Sequence, residues 1–460
     1  MGTKLKYVMP VSAVLAAVGV VNAENIRPNV VLIVADDMGY GGLSCYGGQG
    51  LSTPHLDELA RNGVRCTNFH TNAPVSSPTR VSFLTGRFQQ RTGLDHIYSE
   101  TDPSDGLPPE FKTLAWFLQQ SGYRTGIFGK WHLGESQTYN PLNYGFDRFV
   151  GFMKGNIDFS SHFSTSRKLD WWHDRKLSEE SGYATTLLNE YAAEFIAESD
   201  ERPFFLYVPH AAIHVPMQGP TDPPVRTEGK YRYRNDVTMS AHEYARRYRE
   251  MVASIDEGVG MLLDKLEKTG KMDNTIIIFI SDNGAEQIAA DKYPGANGIY
   301  RGAKGSLYEG GIRVPAIFYW KDRIRPSVND DFMMSMDLFP TILEVCGIRY
   351  DHGATDGKTL VEAIIKGKSM PERKMFWANK GICAMKDSNF KCVWTKNQVE
   401  LFDISADPEE KHDLGKEYPG KVKSMQKSIV RWWNEVTKGN RLEGYSIFDL
   451  EIPLSKQKEK

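Results

Sequence analysis

The stretch RPNVVLIVADDMGYGG, residues 27–42, decides the fold. Val30 to Ala35 is an unbroken apolar run, rich in β-branched residues. A strand half-exposed to water would alternate apolar with polar. A run without alternation is what a strand needs when both of its faces are covered, as in a parallel sheet between helices. The run ends in Asp36-Asp37 and a glycine-rich loop. In open α/β sheets, ligands sit beyond the carboxyl ends of the strands. The same sixteen residues therefore predict a sheet and show where to look for a site.

Outward from this strand, strand and helix signals alternate. Thr53-Pro54 reads as an N-cap and first helical residue opening a helix through LDELARNG. TLAWFLQQSGY (113–123) is helical; TGIFGKW (125–131) and PFFLYVPH (203–210) are strand-like. A long helix is predicted from about Ser240 to Lys268, then buried strands in NTIIIFISDNG (274–284) and RVPAIFYW (313–320). This order predicts an α/β fold, a large doubly wound mixed sheet flanked by helices, over residues 24–350. Beyond 350 the pieces are shorter and turn-rich: KMFWANKG, GICAMKDSN, FKCVWTK and ELFDISADP, then a helix near Lys421 to Lys438. Residues 351–460 therefore read as a smaller antiparallel α+β unit.

Composition sets limits. The chain has 460 residues, 40 % of them hydrophobic, and a formal charge of −2. That near balance argues against a nucleic-acid partner or a basic membrane-surface protein. Residues 1–23 read as a signal peptide: Lys4 and Lys6, an apolar run, then the small-residue end Val21-Asn22-Ala23. Losing those two lysines and no acid takes the charge from −2 to −4. No later segment looks long and apolar enough to cross a membrane, so the expectation is an exported protein, periplasmic or secreted from a bacterium. Five cysteines (Cys45, Cys66, Cys346, Cys383, Cys392) are too few and too odd for a disulfide framework. Cys383 and Cys392 flank a hairpin, and either pair or stay as buried thiols.

The strand ends carry the chemistry. Asp36 and Asp37 end one strand, Asp282 and Asn283 another; Lys130 and His132 follow a third, and His210 and His214 a fourth. One such ending is ordinary loop chemistry. Four together point to a site. Three carboxylates and an amide meeting at one point repel unless a cation joins them. Hard oxygen ligands suit calcium or magnesium rather than zinc, and calcium better tolerates an irregular carboxylate-rich cage.

PVSSPTRVSFLTGR (74–87) contains Ser76-Ser77-Pro78-Thr79-Arg80, of the form [Cys/Ser]-x-Pro-x-Arg. With the Asp-Asp loop, GKWHLG (129–134), HVP (214–216), SDNG (281–284) and RGAKGSLYEGGIRVP (301–315), in that order, the chain resembles the type I sulfatases of the alkaline phosphatase superfamily. The likeness runs over nearly the whole chain after the leader and is of the arylsulfatase and N-acetylgalactosamine-sulfatase kind.

The resemblance implies roles. Ser76 would be converted to formylglycine, whose hydrate attacks sulfur with one hydroxyl and later expels sulfate with the other. One calcium ion would be held by Asp36, Asp37, Ser76, Asp282 and Asn283. Arg80 would hold the modified residue, Lys130 and Lys304 the sulfate oxygens. His132 would take a proton from the diol, and His214 would protonate the leaving sugar oxygen. His210 fits less well and reads as structural. The helix N-terminus after Pro78 would add amide donors for an anion. A serine at 76, where many relatives carry cysteine, implies the anaerobic sulfatase-maturating enzyme as partner. The substrate would be a sulfated carbohydrate, with a pointer to galactose or N-acetylgalactosamine in GNIDFSSHF. The aromatics of GFMKGNIDFSSHF and KLDWWHD either stack on sugar rings or form core. Asp158 and His162 either touch substrate or cap loops. Two rivals remain: a phosphate or phosphonate ester hydrolase on the same fold, and an inactive glycan binder.

Overall fold

A computed structural model describes residues 27–448, apart from 101, 199, 232–237, 294, 352 and 354. The expected leader lies outside these residues. In chain order the main elements are β1 (Asn29–Ala35), α1 (Pro54–Asn62), β2 (Val64–Cys66), α2 (Ser76–Thr85), α3 (Leu114–Gln120), β3 (Arg124–Lys130), β4 (Arg148–Phe152), β5 (Trp172–His173), β6 (Lys176–Leu177), α4 (Ala184–Ala197), β7 (Phe204–Pro209), α5 (Ala241–Lys268), β8 (Thr275–Ser281), β9 (Ala316–Tyr319), β10 (Ser327–Asn329) and α6 (Leu338–Val345). The ten strands form one sheet in the order β10-β2-β9-β8-β1-β7-β3-β4-β5-β6.

β1 lies in the interior of the sheet, parallel to β8 on one side and β7 on the other. All seven of its residues are buried. Val30, Leu32 and Val34 pack with α2, α3 and α6, while Val31, Ile33 and Ala35 pack with α1, α4 and α5. Each face has its own helical layer, which is why the run shows no polar alternation. RVPAIFYW gives β9, which runs antiparallel to β8 and makes the sheet mixed. α5 begins after Ser240, whose hydroxyl accepts the Glu243 N–H at 3.2 Å. Thr53 stands at the N-cap position of α1 but makes no side-chain cap there. Its hydroxyl donates to Asp57 at 2.9 Å and tethers the loop at Ser44.

The C-terminal unit is an antiparallel meander of β11 (Met375–Asn379), β12 (Ile382–Asp387), β13 (Phe390–Thr395) and β14 (Val399–Asp403), covered by α7 (Pro419–Val436). Cys383 stands opposite Trp394 and Cys392 opposite Met385, so the two cysteines are diagonal neighbours. Diagonal positions lie roughly 7–8 Å apart, beyond the usual span of a disulfide. Both are free thiols, and burial pushes the Cys392 thiol up to about 12.

The two units share a core in which Phe88, Leu307, Ile312, Met334 and Met336 pack with the small sheet. They are also joined by polar contacts. The Trp377 indole donates to the Thr71 carbonyl at 2.8 Å, and the Asn379 amide to the Gly305 carbonyl at 2.9 Å. At the centre, Glu309 meets Lys391 at 2.8 Å and His70 at 2.9 Å, and Lys391 reaches Glu410 at 2.9 Å. The Glu309 N–H donates to Glu410 at 2.7 Å. All four side chains are buried.

His210, just past β7, is buried with neither ring nitrogen hydrogen-bonded, and burial holds its pKa down to about 4 from 6.5. The unfolded chain takes up this proton as pH falls below 6.5; the folded chain resists until about 4. The stability His210 contributes is therefore present above pH 6.5 and lost between 6.5 and 4. The shift corresponds to roughly 3 kcal/mol. His210→Phe should flatten the fall in Tm between pH 7 and pH 4.5. An unchanged slope would contradict this.

Candidate active site

The acidic and basic residues singled out above converge at the carboxyl ends of the central strands. Asp36 and Asp37 leave β1, Asp282 and Asn283 leave β8, Lys130 ends β3, and Ser76 is the first residue of α2. α2 thus begins two residues earlier than the position of Pro78 suggested. A proline in a helix's first turn is tolerated because the N–H it lacks has no partner there.

The Ser76 hydroxyl donates to Asp36 at 3.2 Å and lies 3.4 Å from both the Asn283 amide oxygen and Lys130 Nζ. Each of the three aspartates has its own cation. Lys130 lies 2.7 Å from Asp36, Lys304 2.7 Å from Asp37, and Arg80 2.7 Å from Asp282. Arg80 also donates to the Lys130 carbonyl and the Tyr207 hydroxyl, at 3.4 and 3.3 Å. The Asn283 amide donates to Asp37 at 2.7 Å, and the Asp37 N–H to Asp282 at 3.2 Å. Asp37 adopts a φ of 61°, and aspartate is among the few residues that tolerate this region. Gly284 lets the Asp282–Asn283 loop meet the Glu309–Ile312 segment: a Cβ there would lie 1.8 Å from the Gly310 carbonyl.

The electrostatics follow from burial and pairing. Burial pushes the Asp36 carboxyl up, but Lys130, His214 and Arg80 outweigh it and hold it below its usual value. The same holds at Asp37, where Lys304 and His214 prevail. Burial drives Lys130 down despite Asp36. Burial, then Lys130 and Arg80, drive His132 well below its usual value, so its imidazole stays neutral. His132 follows Lys130 closely in the chain and leaves Nδ1 unpartnered. Its ring needs a glycine opposite: a Cβ on Gly155 would lie 2.8 Å from Nε2. His214 donates from Nδ1 to the Val215 carbonyl, leaving Nε2 3.6 Å from Asp37.

Ligand oxygens of Asp36, Asp37 and Asp282 lie within 4.8 Å of one another. With the Ser76 hydroxyl and the Asn283 amide oxygen beside Asp36, the donor set is all oxygen and fits a hard divalent cation.

Three sequence-predicted residues stand elsewhere. His210 is walled into the core, in keeping with a structural role. Asp158 and His162, offered as possible substrate contacts, are engaged within their own loop. The Asp158 carboxylate is buried and accepts backbone N–H groups from Ser160, Ser161, Val225 and Arg226. His162 is stacked on Trp171 at 4.2 Å and bonded to the Gly182 carbonyl. Both hold the loop in place. Two contributors escaped the sequence reading. Tyr207 lies hidden in an apolar strand. Glu286 lies 3.4 Å from Lys304 Nζ and 4.0 Å from His214 Nε2. Its place three residues after Asn283 was the available signal.

Comparison with known proteins agrees with this geometry. The sequence pattern of the Sulfatase family matches residues 28–348. Human arylsulfatase A is 30 % identical over 414 residues, 83 % of this chain and 77 % of the relative. Mouse N-acetylgalactosamine-6-sulfatase is 31 % identical over 416 residues, 84 % and 76 % of the two chains. Among solved structures, Ps i-CgsB in complex with k-i-k-neocarrahexaose superposes with a TM-score of 0.79 at 27 % identity, covering 95 % of this chain and all of that one. The phosphonate monoester hydrolase of Agrobacterium radiobacter, at 18 % identity and a TM-score of 0.65, shares the fold. No helix among the described residues is long and apolar enough to cross a membrane. A match over 321 residues, with two sulfatases at 30–31 % identity and three aspartates gathered at the end of a mixed sheet, establishes the chain as a member of the sulfatase family and a sulfuric ester hydrolase of alkaline phosphatase-like fold.

Proposed function

We propose that this enzyme removes sulfate from a carbohydrate, using formylglycine made from Ser76 and one calcium ion held by Asp36, Asp37, Asp282, Asn283 and position 76. The observation that carries the reading is the surroundings of Ser76: a small hydroxyl at a helix start, against Asp36, Asn283 and Lys130. The carbohydrate follows from the names of the relatives, an N-acetylgalactosamine-6-sulfatase and a protein solved with a neocarrahexaose. A calcium ion held by these residues would supply positive charge to polarise the sulfate oxygens. As formylglycine, residue 76 supplies a nucleophilic hydroxyl and a route for releasing the bound sulfate.

The chain's own residues do the rest. Lys130, buried, and Lys304, partly buried, stand beside the aspartates and turn to the oxygens of an arriving sulfate. Arg80, clamped on Asp282, fixes the loop after position 76. Neutral His132 takes a proton from the nucleophile. His214 gives a proton from Nε2 to the leaving oxygen; its Nδ1 bond to Val215 fixes the ring. The leader implies export to the periplasm, and a serine at 76 implies an anaerobic maturase.

The test is to produce the protein with an anaerobic maturase, digest it with trypsin and weigh the peptide Cys66–Arg80. Loss of two hydrogens at Ser76, with sulfate released from defined sulfated saccharides, supports the reading. An unmodified serine in an active enzyme would sink it. Chelation of divalent cations should lower kcat/KM by at least ~10²-fold, since a polarising metal contributes several kcal/mol. Calcium should restore it where zinc does not; full activity in the chelated protein would exclude the metal.

A further inference from the structure

Each of the three aspartates that would hold the metal already has one cation at 2.7 Å: Asp36 with Lys130, Asp37 with Lys304, Asp282 with Arg80. Among these groups the charges cancel. Glu286 is the surplus. It stands at the rim with its side chain 20 % exposed, 3.4 Å from Lys304 and 4.0 Å from His214. The aspartates do not need it for pairing, and Lys304 already has Asp37.

Its charge changes which anion the pocket suits. One negative charge at the rim repels a doubly charged anion about twice as strongly as a singly charged one, whatever the total charge of the pocket. The anion is the substrate or product of the reading above, on which this step rests. A sulfate monoester carries one negative charge. A phosphate monoester is close to doubly charged at neutral pH. Inorganic sulfate, the product, is a dianion as well. We infer that Glu286 is a specificity-determining residue, whose carboxylate disfavours dianions and so selects sulfate monoesters over phosphate monoesters and loosens the hold on released sulfate.

Glu286→Gln removes the charge and keeps an oxygen for Lys304. Glu286→Asp keeps the charge and shortens the reach. On converted, calcium-loaded protein, two quantities decide: the ratio of kcat/KM for 4-nitrophenyl phosphate to that for 4-nitrophenyl sulfate, and the affinity for inorganic sulfate by titration calorimetry. In Glu286→Gln both should rise at least ~10-fold, the effect of one unscreened charge a few ångströms away. In Glu286→Asp both should stay within about 2-fold of the parent. An unchanged ratio and affinity in Glu286→Gln overturns the inference. So does an equal change in Glu286→Asp, which would assign the effect to shape. A parent that releases no sulfate although residue 76 is converted would refute the proposed function instead, and the calorimetric arm would still decide the role of Glu286.

Discussion

Ser76→Ala should lower kcat/KM for sulfate esters by at least ~10⁴-fold while leaving the fold intact, because a nucleophile's loss removes the covalent route altogether. The structure says why the two effects separate. The Ser76 hydroxyl touches Asp36, Asn283 and Lys130, yet Lys130 keeps its own bond to Asp36 without it. Nor does that hydroxyl cap α2, whose N-cap is Val75 with no side-chain bond. Unfolding stability should therefore change by no more than ~2 kcal/mol, the cost of one buried hydrogen bond to Asp36, which keeps its Lys130 partner. Lys130 and Lys304 remain, so inorganic sulfate should still bind. Steady-state kinetics with thermal unfolding checks both halves. Activity within tenfold of the parent would mean that the nucleophile lies elsewhere.

The largest expected loss of stability lies in the seam beneath the small sheet. Lys391→Met leaves Glu309 and Glu410 buried against one another without the ammonium between them. Removing one partner of a buried pair typically costs 3–5 kcal/mol, because the charge left behind is uncompensated. His70 and Arg313 still face Glu309, at 2.9 and 3.3 Å, and soften the loss without replacing Lys391. Denaturant unfolding measures it. Adding Glu410→Gln to Lys391→Met should recover part of the stability, since the second change removes one stranded charge. A single-variant loss below ~1 kcal/mol would show that the network holds little. Activity should fall as well: Glu309 and Lys304 share one segment, and Asn379 holds Gly305 next to Lys304.

Much of this was legible beforehand because it is written locally. β1 shows itself as an unbroken apolar run since each face has a helical layer. The aspartates show themselves because they end such runs. The four short strands after residue 374 are punctuated by turn residues. What stayed hidden depends on partners far away in the chain. Two partners that Asp158 has within the fold, the backbone N–H groups of Val225 and Arg226, lie more than sixty residues on. The Glu309–Lys391 pair joins two ordinary surface-type residues across 82 positions. Pro78 suggested a helix starting behind it, because proline favours the first helical position; the helix starts at Ser76 and places the proline within its first turn.

The burial of α2 sets an order of events. Every residue from Ser76 to Thr85 is buried, and Ser76 is 1 % exposed. A modifying enzyme must seat the residue in a pocket of its own, which the closed molecule forbids. The bond from Trp377 to Thr71 closes over this segment from 306 residues downstream. The conversion of position 76 proposed above would therefore belong to the nascent or unfolded chain, before the C-terminal sheet packs on. On that reading a molecule that folds first would keep an ordinary serine, and the active fraction of a preparation would be set by a race between maturation and folding.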